Sequence, residues 1–171
     1  TMEEVFGKRK PLHLSYVGDG RNNMAVSLLI ACPRMGITTT IVAPPSLFPS
    51  DDLVDECRAA AKAHGAGVKV TSSVEEGVLG ADVVYTDVWV SMGEEEKKTE
   101  RLEILSPYQV NGALMAATGK KETIFLHCLP AVKGEEVTAG VFEGPRSHVF
   151  DQAENRKHTI KALLLCTLTG K

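Results

Sequence analysis

Short apolar segments rich in β-branched residues alternate with longer helical segments along the 171-residue chain. The segments with the character of buried strands are 12–17, 37–43, 68–71, 81–86 and 124–126. Parallel strands require long crossover connections of this kind, whereas antiparallel strands need only tight turns. The sequence therefore predicts a single-domain α/β fold, in which a doubly wound, Rossmann-like parallel sheet of about five strands lies between two layers of helices.

Helices are predicted where apolar residues recur at helical spacing and where capping residues precede such a pattern. Their expected ranges are 1–7, 24–35, 51–64, 74–80, 107–119 and 151–168. Pro33 should end the second helix or bend its last turn. Residues 94–105 are rich in charge, and we expect a solvated helix or a mobile loop there.

Composition excludes several classes of partner. The net charge of −3 and the scattered basic residues argue against nucleic acid. No apolar run approaches the roughly 20 residues of a membrane span, and no signal-peptide pattern opens the chain. The four cysteines lie far apart without histidines at zinc-ligand spacing, so we expect reduced thiols and no metal site. Cys32, Cys57 and Cys166 fall in helical segments and are interpreted as small core residues.

The first strand is followed by glycines at positions 18 and 20, the spacing of a dinucleotide-binding turn. However, the third glycine of that motif is replaced by Asn23, and the second strand ends in Ala43-Pro44-Pro45 where an acidic residue would bind a ribose. No nucleotide cofactor is therefore predicted. Asn22 and Asn23 either cap the next helix or offer amide groups to a carboxylate or phosphate at its N-terminus.

The fourth strand runs into the segment Asp87–Gly93, with the sequence DVWVSMG. Ligands of open α/β sheets bind outside the carboxyl ends of the strands, so Asp87, Ser91 and the backbone near Met92 would face a ligand. The alternative is a helix cap, because Ser and Asp both cap well and an acidic helical segment follows.

The fifth strand runs into residues 127–130, with the sequence HCLP. Cys128 is either a thiol of lowered pKa that acts as a base or nucleophile, or a buried and inert thiol. The proline should hold Leu129 in extended backbone, which would fix the local peptide groups for a ligand. Asn23, Asp87 and Cys128 follow three strands that are neighbours in a doubly wound sheet, and this convergence favours a ligand site.

Four segments together resemble ornithine carbamoyltransferases, and they are residues 17–24, 87–93, 127–130 and 153–156. Their order and spacing fit from the first strand to the last helix, and the Ser-Met-Gly part is the most specific. This family transfers the carbamoyl group of carbamoyl phosphate to the δ-amine of L-ornithine, giving citrulline and phosphate. The resemblance implies a transferase of arginine biosynthesis, the urea cycle or the arginine deiminase pathway, without a cofactor.

The resemblance also implies how ornithine is held. Asn23 would bind the ornithine α-carboxylate together with the Met92 backbone amide. Asp87 and Ser91 would bind the α-ammonium group.

The same resemblance assigns roles to three further residues. Cys128 would approach the substrate amine as proton acceptor, next to the carbamoyl phosphate site. The Leu129 carbonyl would orient the carbamoyl amide, and Arg156 would reach the oxygens of carbamoyl phosphate.

The resemblance covers only the second, ornithine-binding domain of a two-domain family. The Ser-x-Arg-Thr and His-Pro-Thr-Gln segments of the family's first domain do not occur in the sequence. We therefore expect residues 1–171 to be the ornithine-binding domain, inactive alone because carbamoyl phosphate needs the other domain. The resemblance implies a homotrimer for the full-length enzyme, in the cytoplasm or, in a ureotelic animal, in the mitochondrial matrix. The alternatives are a carbamoyltransferase for a related amine such as putrescine, or a stand-alone amino-acid-binding module.

The last predicted helix carries apolar residues on more than one face, at positions 160, 163, 164, 165 and 168. A helix with this pattern is typically packed against other elements on two sides. Because this helix returns to the first domain in the family that the chain resembles, we expect an exposed apolar patch at Ile160–Leu168 that a partner covers.

Overall fold

The computed structural model describes residues 1–7, 11–90, 96 and 98–170. Its strands are β1 His13–Val17, β2 Thr38–Val42, β3 Val68–Thr71, β4 Val83–Thr86 and β5 Ile124–His127. They form one parallel sheet in the order β3-β2-β1-β4-β5. The chain winds outward from β1 in one direction and then returns to the other side, so the switch point lies between β1 and β4. The predicted fold class is confirmed.

Eight helices surround the sheet within the described residues. They are α1 Met2–Phe6, α2 Asn23–Arg34, α3 Asp51–Ala63, α4 Val74–Val78, α5 Lys98–Leu105, α6 Gly112–Ala117, α7 Ala139–Phe142 and α8 Val149–Thr169. One face of the sheet packs against α1, α2 and α3 around Leu14 and Leu29. The other packs against α4 to α7 around Val84 and Phe125. Both faces are therefore buried, which explains the continuous apolar character of the strands.

The predicted helix 107–119 is wrong in its first half. Ser106–Tyr108 is a short 3-10 turn, and Val110 pairs with residues 136–138 through backbone hydrogen bonds. This pairing buries Val110 completely, an outcome that a surface helix would not provide. The helix itself, α6, begins after Asn111, whose side chain accepts a hydrogen bond from a backbone amide at 3.0 Å.

Two further expectations need correction. The last helix begins at Val149, which is fully buried, rather than at Asp151. Cys32 and Cys57 are core residues as predicted, but Cys166 is exposed. Cys166 lies on the second half of α8, where the described residues bury no side chain.

The side chains of residues 156–170 are all exposed, although the stretch 160–168 is mostly apolar. Ile160, Leu163, Leu164, Leu165 and Leu168 are 49–82% exposed. The predicted apolar patch is therefore confirmed, and its cover by a partner stays a prediction. Even with this segment, no helix in the described ranges combines the length and the apolar character needed to cross a membrane.

Candidate functional site

The carboxyl ends of β1, β4 and β5 lie side by side, and a loop leaves each of them. Thr86, the last residue of β4, donates its hydroxyl proton to the carbonyl of Val17, the last residue of β1, at 2.6 Å. β4 and β5 remain in register to their ends, where Thr86 lies opposite His127. The sheet therefore brings Asp87 and Cys128, the next residues of these two strands, to the same place.

Asp87 and Cys128 are in direct contact. The Cys128 thiol donates a hydrogen bond to Asp87 Oδ1, with Sγ and Oδ1 3.0 Å apart. The same oxygen accepts a bond from the Val88 amide at 2.8 Å, and Asp87 is only 7% exposed. Burial, followed by the neighbouring carboxylate, raises the pKa of Cys128 to about 12. The alternative in which the Cys128 thiol has a lowered pKa is therefore wrong. In this structure Cys128 carries its proton at neutral pH.

The loop between β1 and α2 fixes one asparagine and leaves the other available. Asn22 Oδ1 accepts a hydrogen bond from the Met24 amide at 2.7 Å and so caps α2. Asn23 is the first helical residue, and its exposed side chain makes no hydrogen bond to the described residues. Gly20 lets this loop pass close to the backbone of Leu47, because a Cβ at position 20 would lie 2.7 Å from the Leu47 carbonyl oxygen.

A largely buried ion pair connects the same loop to α5. Asp19 Oδ2 lies 2.6 Å from Arg101 Nη1, and each side chain is 12% exposed. Asp19 Oδ1 accepts a further bond from the Arg21 amide at 2.9 Å. The start of the β1–α2 loop is therefore held by a charge on a separate helix. Ser91 and Met92, which were also predicted to contact the ligand, lie outside the described residues.

Cys128 and Arg156 line one cleft, which has a volume of about 340 Å³. Met24 of α2 and Gln152 of α8 contribute to the same cleft. Arg156 is exposed, so its guanidinium is accessible to an anion that enters. The structure thus brings a half-buried thiol and an exposed positive charge to one cleft, while their predicted roles stay predictions.

The loop after β5 differs from the expected extended backbone. Leu129 has φ 59°, in the left-handed region, and the peptide bond to Pro130 is cis. The Leu129 amide donates to His127 Nδ1 at 2.9 Å, so the ring proton of His127 lies on Nε2. That Nε2 donates to Glu136 Oε1 at 3.2 Å, and the Val132 amide donates to the same oxygen at 2.6 Å. These bonds determine the turn more strongly than the preference of a residue before proline.

Sequence reasoning missed this pair of residues. His127 and Glu136 are both fully buried, with a side-chain exposure of 0%. Glu136 stands next to Glu135, and nothing in the local pattern distinguishes a buried carboxylate from a solvated one. Only the pairing of the segment around residue 137 with Val110 carries Glu136 beneath the Cys128 loop.

A tyrosine pair on the same face as Cys128 was missed as well. Tyr16 and Tyr85 stack with ring centroids 6.1 Å apart and an interplanar angle of 27°. The Tyr85 oxygen accepts a hydrogen bond from Gln152 Nε2 at 2.8 Å. The period of two along β4 could have found Tyr85, because it places this side chain on the face that Asp87 also occupies.

Asp87, His127 and Cys128 offer atoms of the kind that bind metals, all within 4.8 Å of one another. Both ring nitrogens of His127 are already engaged, one as acceptor and one as donor. A metal would have to displace the bonds that hold the Cys128 loop, so this arrangement does not favour one.

Residues 10–167 match the family model described as aspartate/ornithine carbamoyltransferase, Asp/Orn binding domain. The chain belongs to this carbamoyltransferase family. The ornithine carbamoyltransferase of Pseudothermotoga lettingae is 56% identical over 98% of this chain and 54% of its own length. The catabolic ornithine carbamoyltransferase of Bacillus cereus is 50% identical over 98% of this chain and 54% of its own length.

Solved structures agree with this membership of the carbamoyltransferase family. The ornithine carbamoyltransferase from Pyrococcus furiosus superimposes with a TM-score of 0.89 at 41% identity, covering 96% of this chain and 52% of that one. The predicted family is confirmed. The chain spans about half the length of the curated carbamoyltransferases that it matches.

Proposed function

We propose that residues 1–171 are the ornithine-binding domain of an ornithine carbamoyltransferase. The complete enzyme would transfer the carbamoyl group of carbamoyl phosphate to the δ-amine of L-ornithine and release citrulline and phosphate. The observation that carries this proposal is the buried Asp87 carboxylate in contact with Cys128 at the switch-point edge of the sheet. Family membership supplies the reaction class.

An amino-acid ligand brings two opposite charges, and burying either without a partner costs several kcal/mol. Asp87 is the partner for the α-ammonium group. Asn23, on the neighbouring loop and at the N-terminus of the 12-residue helix α2, is the partner for the α-carboxylate. In this proposal, Ser91 adds a hydroxyl at the ammonium group, and the Met92 amide adds a donor at the carboxylate.

Proton transfer is the chemical task of Cys128 in this proposal. An alkyl amine titrates near pH 10, so the δ-amino group of ornithine is an ammonium at neutral pH and must lose a proton before it attacks the carbamoyl carbon. An ammonium group bound to Asp87 takes the carboxylate away from the thiol and lowers the pKa of Cys128. Cys128 can then release its own proton to solvent, and the resulting thiolate can accept a proton from the δ-ammonium group, which leaves the neutral amine that attacks.

Carbamoyl phosphate would enter the cleft between Cys128 and Arg156. The Arg156 guanidinium offers planar, paired donors that suit phosphate or carbamoyl oxygens. The Leu129 carbonyl would orient the carbamoyl amide. We further propose that the remaining contacts to carbamoyl phosphate come from the part of the relatives that this chain does not cover, in a cytoplasmic homotrimer.

Calorimetric titration of the 171-residue chain tests the proposal. We expect saturable binding of L-ornithine that weakens by roughly tenfold or more in Asp87→Asn, because a charge-assisted bond becomes a neutral one. Glu122→Gln is the matched control, since Glu122 is an exposed carboxylate that precedes β5 at the opposite edge of the sheet. We also expect no citrulline from carbamoyl phosphate and ornithine with this chain alone.

Three results would contradict the proposal. Preferential binding of putrescine over ornithine would indicate a carbamoyltransferase for a different amine, because putrescine has no α-groups for Asp87 and Asn23 to bind. Equal ornithine binding by Asp87→Asn and the unaltered chain would show that Asp87 does not bind ornithine. Turnover by the chain alone would show that no second domain is needed.

A further inference from the structure

Arg156 is exposed on α8, and no carboxylate of the described residues holds its guanidinium in place. The ion pairs on this part of the helix join Glu154 to Lys157 and to His158. Arg156 lines the same cleft as Cys128. Where its charge lies relative to that cleft therefore depends on where the backbone of α8 lies.

Few contacts fix the backbone of α8 near Arg156. Of its 21 residues, Val149 is buried, Gln152 and Asn155 are partly buried, and all the others are exposed. Val149 anchors the start of the helix, about 10 Å from Arg156 at a rise of roughly 1.5 Å per residue. A tilt of about 10° at this anchor would move Arg156 by about 2 Å. A second contact is needed to hold it.

Gln152 connects α8 to the sheet, one helical turn before Arg156. Its Nε2 donates a hydrogen bond to the Tyr85 oxygen at 2.8 Å. Tyr85 is 3% exposed and belongs to β4, two residues before Asp87. The Oε1 atom of Gln152 is buried and has no hydrogen-bond partner in the described part of the chain. Tyr85 is therefore the group that orients the Gln152 amide.

The other partly buried residue joins α8 to a different part of the molecule. Asn155 Nδ2 donates a hydrogen bond to Thr1 Oγ1 at 2.9 Å, beside α1 rather than on the sheet. Gln152 and Arg156, by contrast, are four residues apart and share one face of the helix, which lines the cleft. The bond from Gln152 is thus the one that relates this face to the strand leading to Asp87.

We propose that Gln152 is a positioning residue, whose hydrogen bond to Tyr85 fixes α8 on β4 and thereby places Arg156 at the cleft beside Cys128. The precision matters, because a displacement of about 1 Å in a reacting site can lower its rate by roughly 100-fold. The inference deepens the proposed function and rests on it only for the ligand of Arg156, carbamoyl phosphate.

Hydrogen exchange of the 171-residue chain, resolved by peptide mass spectrometry, tests this bond without any substrate. Gln152→Met removes the amide and keeps a side chain of similar length. We expect the amides of residues 153–158 to exchange roughly three- to tenfold faster, because one net hydrogen bond is lost, while the core strands exchange as before. Thr159→Val is the matched control and should change exchange by less than about twofold. Thr159 lines the same cleft, but its hydroxyl bonds to carbonyls within α8.

Two further variants identify the bond itself. Gln152→Glu should restore most of the protection, because a carboxylate accepts a hydrogen bond from the Tyr85 hydroxyl. Tyr85→Phe should reproduce the effect of Gln152→Met, and the double variant should exchange no faster than either single one. Unchanged exchange of α8 in Gln152→Met would overturn the proposal. Faster exchange throughout the chain would do the same, since it would indicate a general loss of stability.

Ligand binding separates positioning from a purely structural role. The probe is phosphonoacetamide, a stable analogue of carbamoyl phosphate, titrated at millimolar concentration and followed by phosphorus NMR, with Arg156→Gln to define binding that does not involve Arg156. We expect Gln152→Met to weaken the binding that depends on Arg156 by roughly threefold or more, and to leave the Kd of L-ornithine within about twofold. An equal loss for both ligands would contradict a role through Arg156. If the unaltered chain bound neither ligand, the proposed function would fail, and the exchange experiment would still decide the role of Gln152.

Discussion

Glu136 offers a stringent test of how the Cys128 loop is held, through the change Glu136→Ala. Its Oε1 accepts from the Val132 amide at 2.6 Å and from His127 Nε2 at 3.2 Å. His127 is fully buried, so water cannot replace the acceptor that its ring N–H loses, whereas Val132 is 43% exposed and its amide can bond to water. The orphaned His127 donor costs about 1–3 kcal/mol, which is the expected loss in the free energy of unfolding.

Urea unfolding, followed by the fluorescence of the single tryptophan, measures this loss. Trp89 is 4% exposed in the native state and therefore reports unfolding of the second core. The adjacent Glu135→Ala is the control, because Glu135 pairs with Lys98 at 2.8 Å on the surface, where such pairs contribute about 0–1 kcal/mol. If Glu136→Ala and Glu135→Ala lost the same stability, the buried pair would not be what holds this loop.

Three further changes are predicted. Gly77→Ala should destabilise the fold by about 1–3 kcal/mol in the same assay, because its Cβ would lie 2.4 Å from Val42 Cγ2, whereas Gly140→Ala, which meets nothing within 4 Å, should not. Burial lowers the pKa of His13 below its ordinary value of 6.5, so stability should be complete above that pH and fall as the pH drops through the lowered pKa of the folded state. His13→Gln should flatten this slope, and an unchanged slope would exclude His13 as its cause. Leu168→Lys, at a residue that is 82% exposed, should reduce self-association in sedimentation velocity while changing the unfolding free energy by less than about 0.5 kcal/mol.

The sequence predicts the sheet well because each strand is buried on both faces and so forms a continuous apolar segment. It also places Asp87 and Cys128 correctly, since strand ends follow from the same segments. The helix expected at 107–119 fails because Val110 gains more from pairing with a segment distant in the chain than from local helical structure. The burial of Glu136 could not be predicted for the same reason, because it depends on that long-range pairing rather than on the neighbours of Glu136 in sequence.

Leu129 shows why part of the site could not be read from local preferences. A left-handed backbone costs a leucine about 1–2 kcal/mol, so a local rule selects extended backbone instead. Here the Leu129 amide donates to His127, whose ring is fixed in turn by Glu136. Two buried groups therefore determine a backbone conformation that the residue itself disfavours. The position of Cys128 therefore depends on buried core residues. We expect the Cys128 loop to stay ordered as long as that core is folded.

The environment of Cys128 also separates it from reactive cysteines, which usually sit near positive charge and have a lowered pKa. Here burial and Asp87 raise the pKa of the thiol to about 12. Such a thiol is protonated at neutral pH and reacts slowly with electrophiles, and neutralising Asp87 would remove the second of these two causes. A cationic ligand such as the proposed ornithine would do so on binding, and it would also bring the amine whose proton must leave. In the proposed function, binding and ionisation would thereby be linked through one carboxylate, and the thiol would act as a base when ornithine is bound.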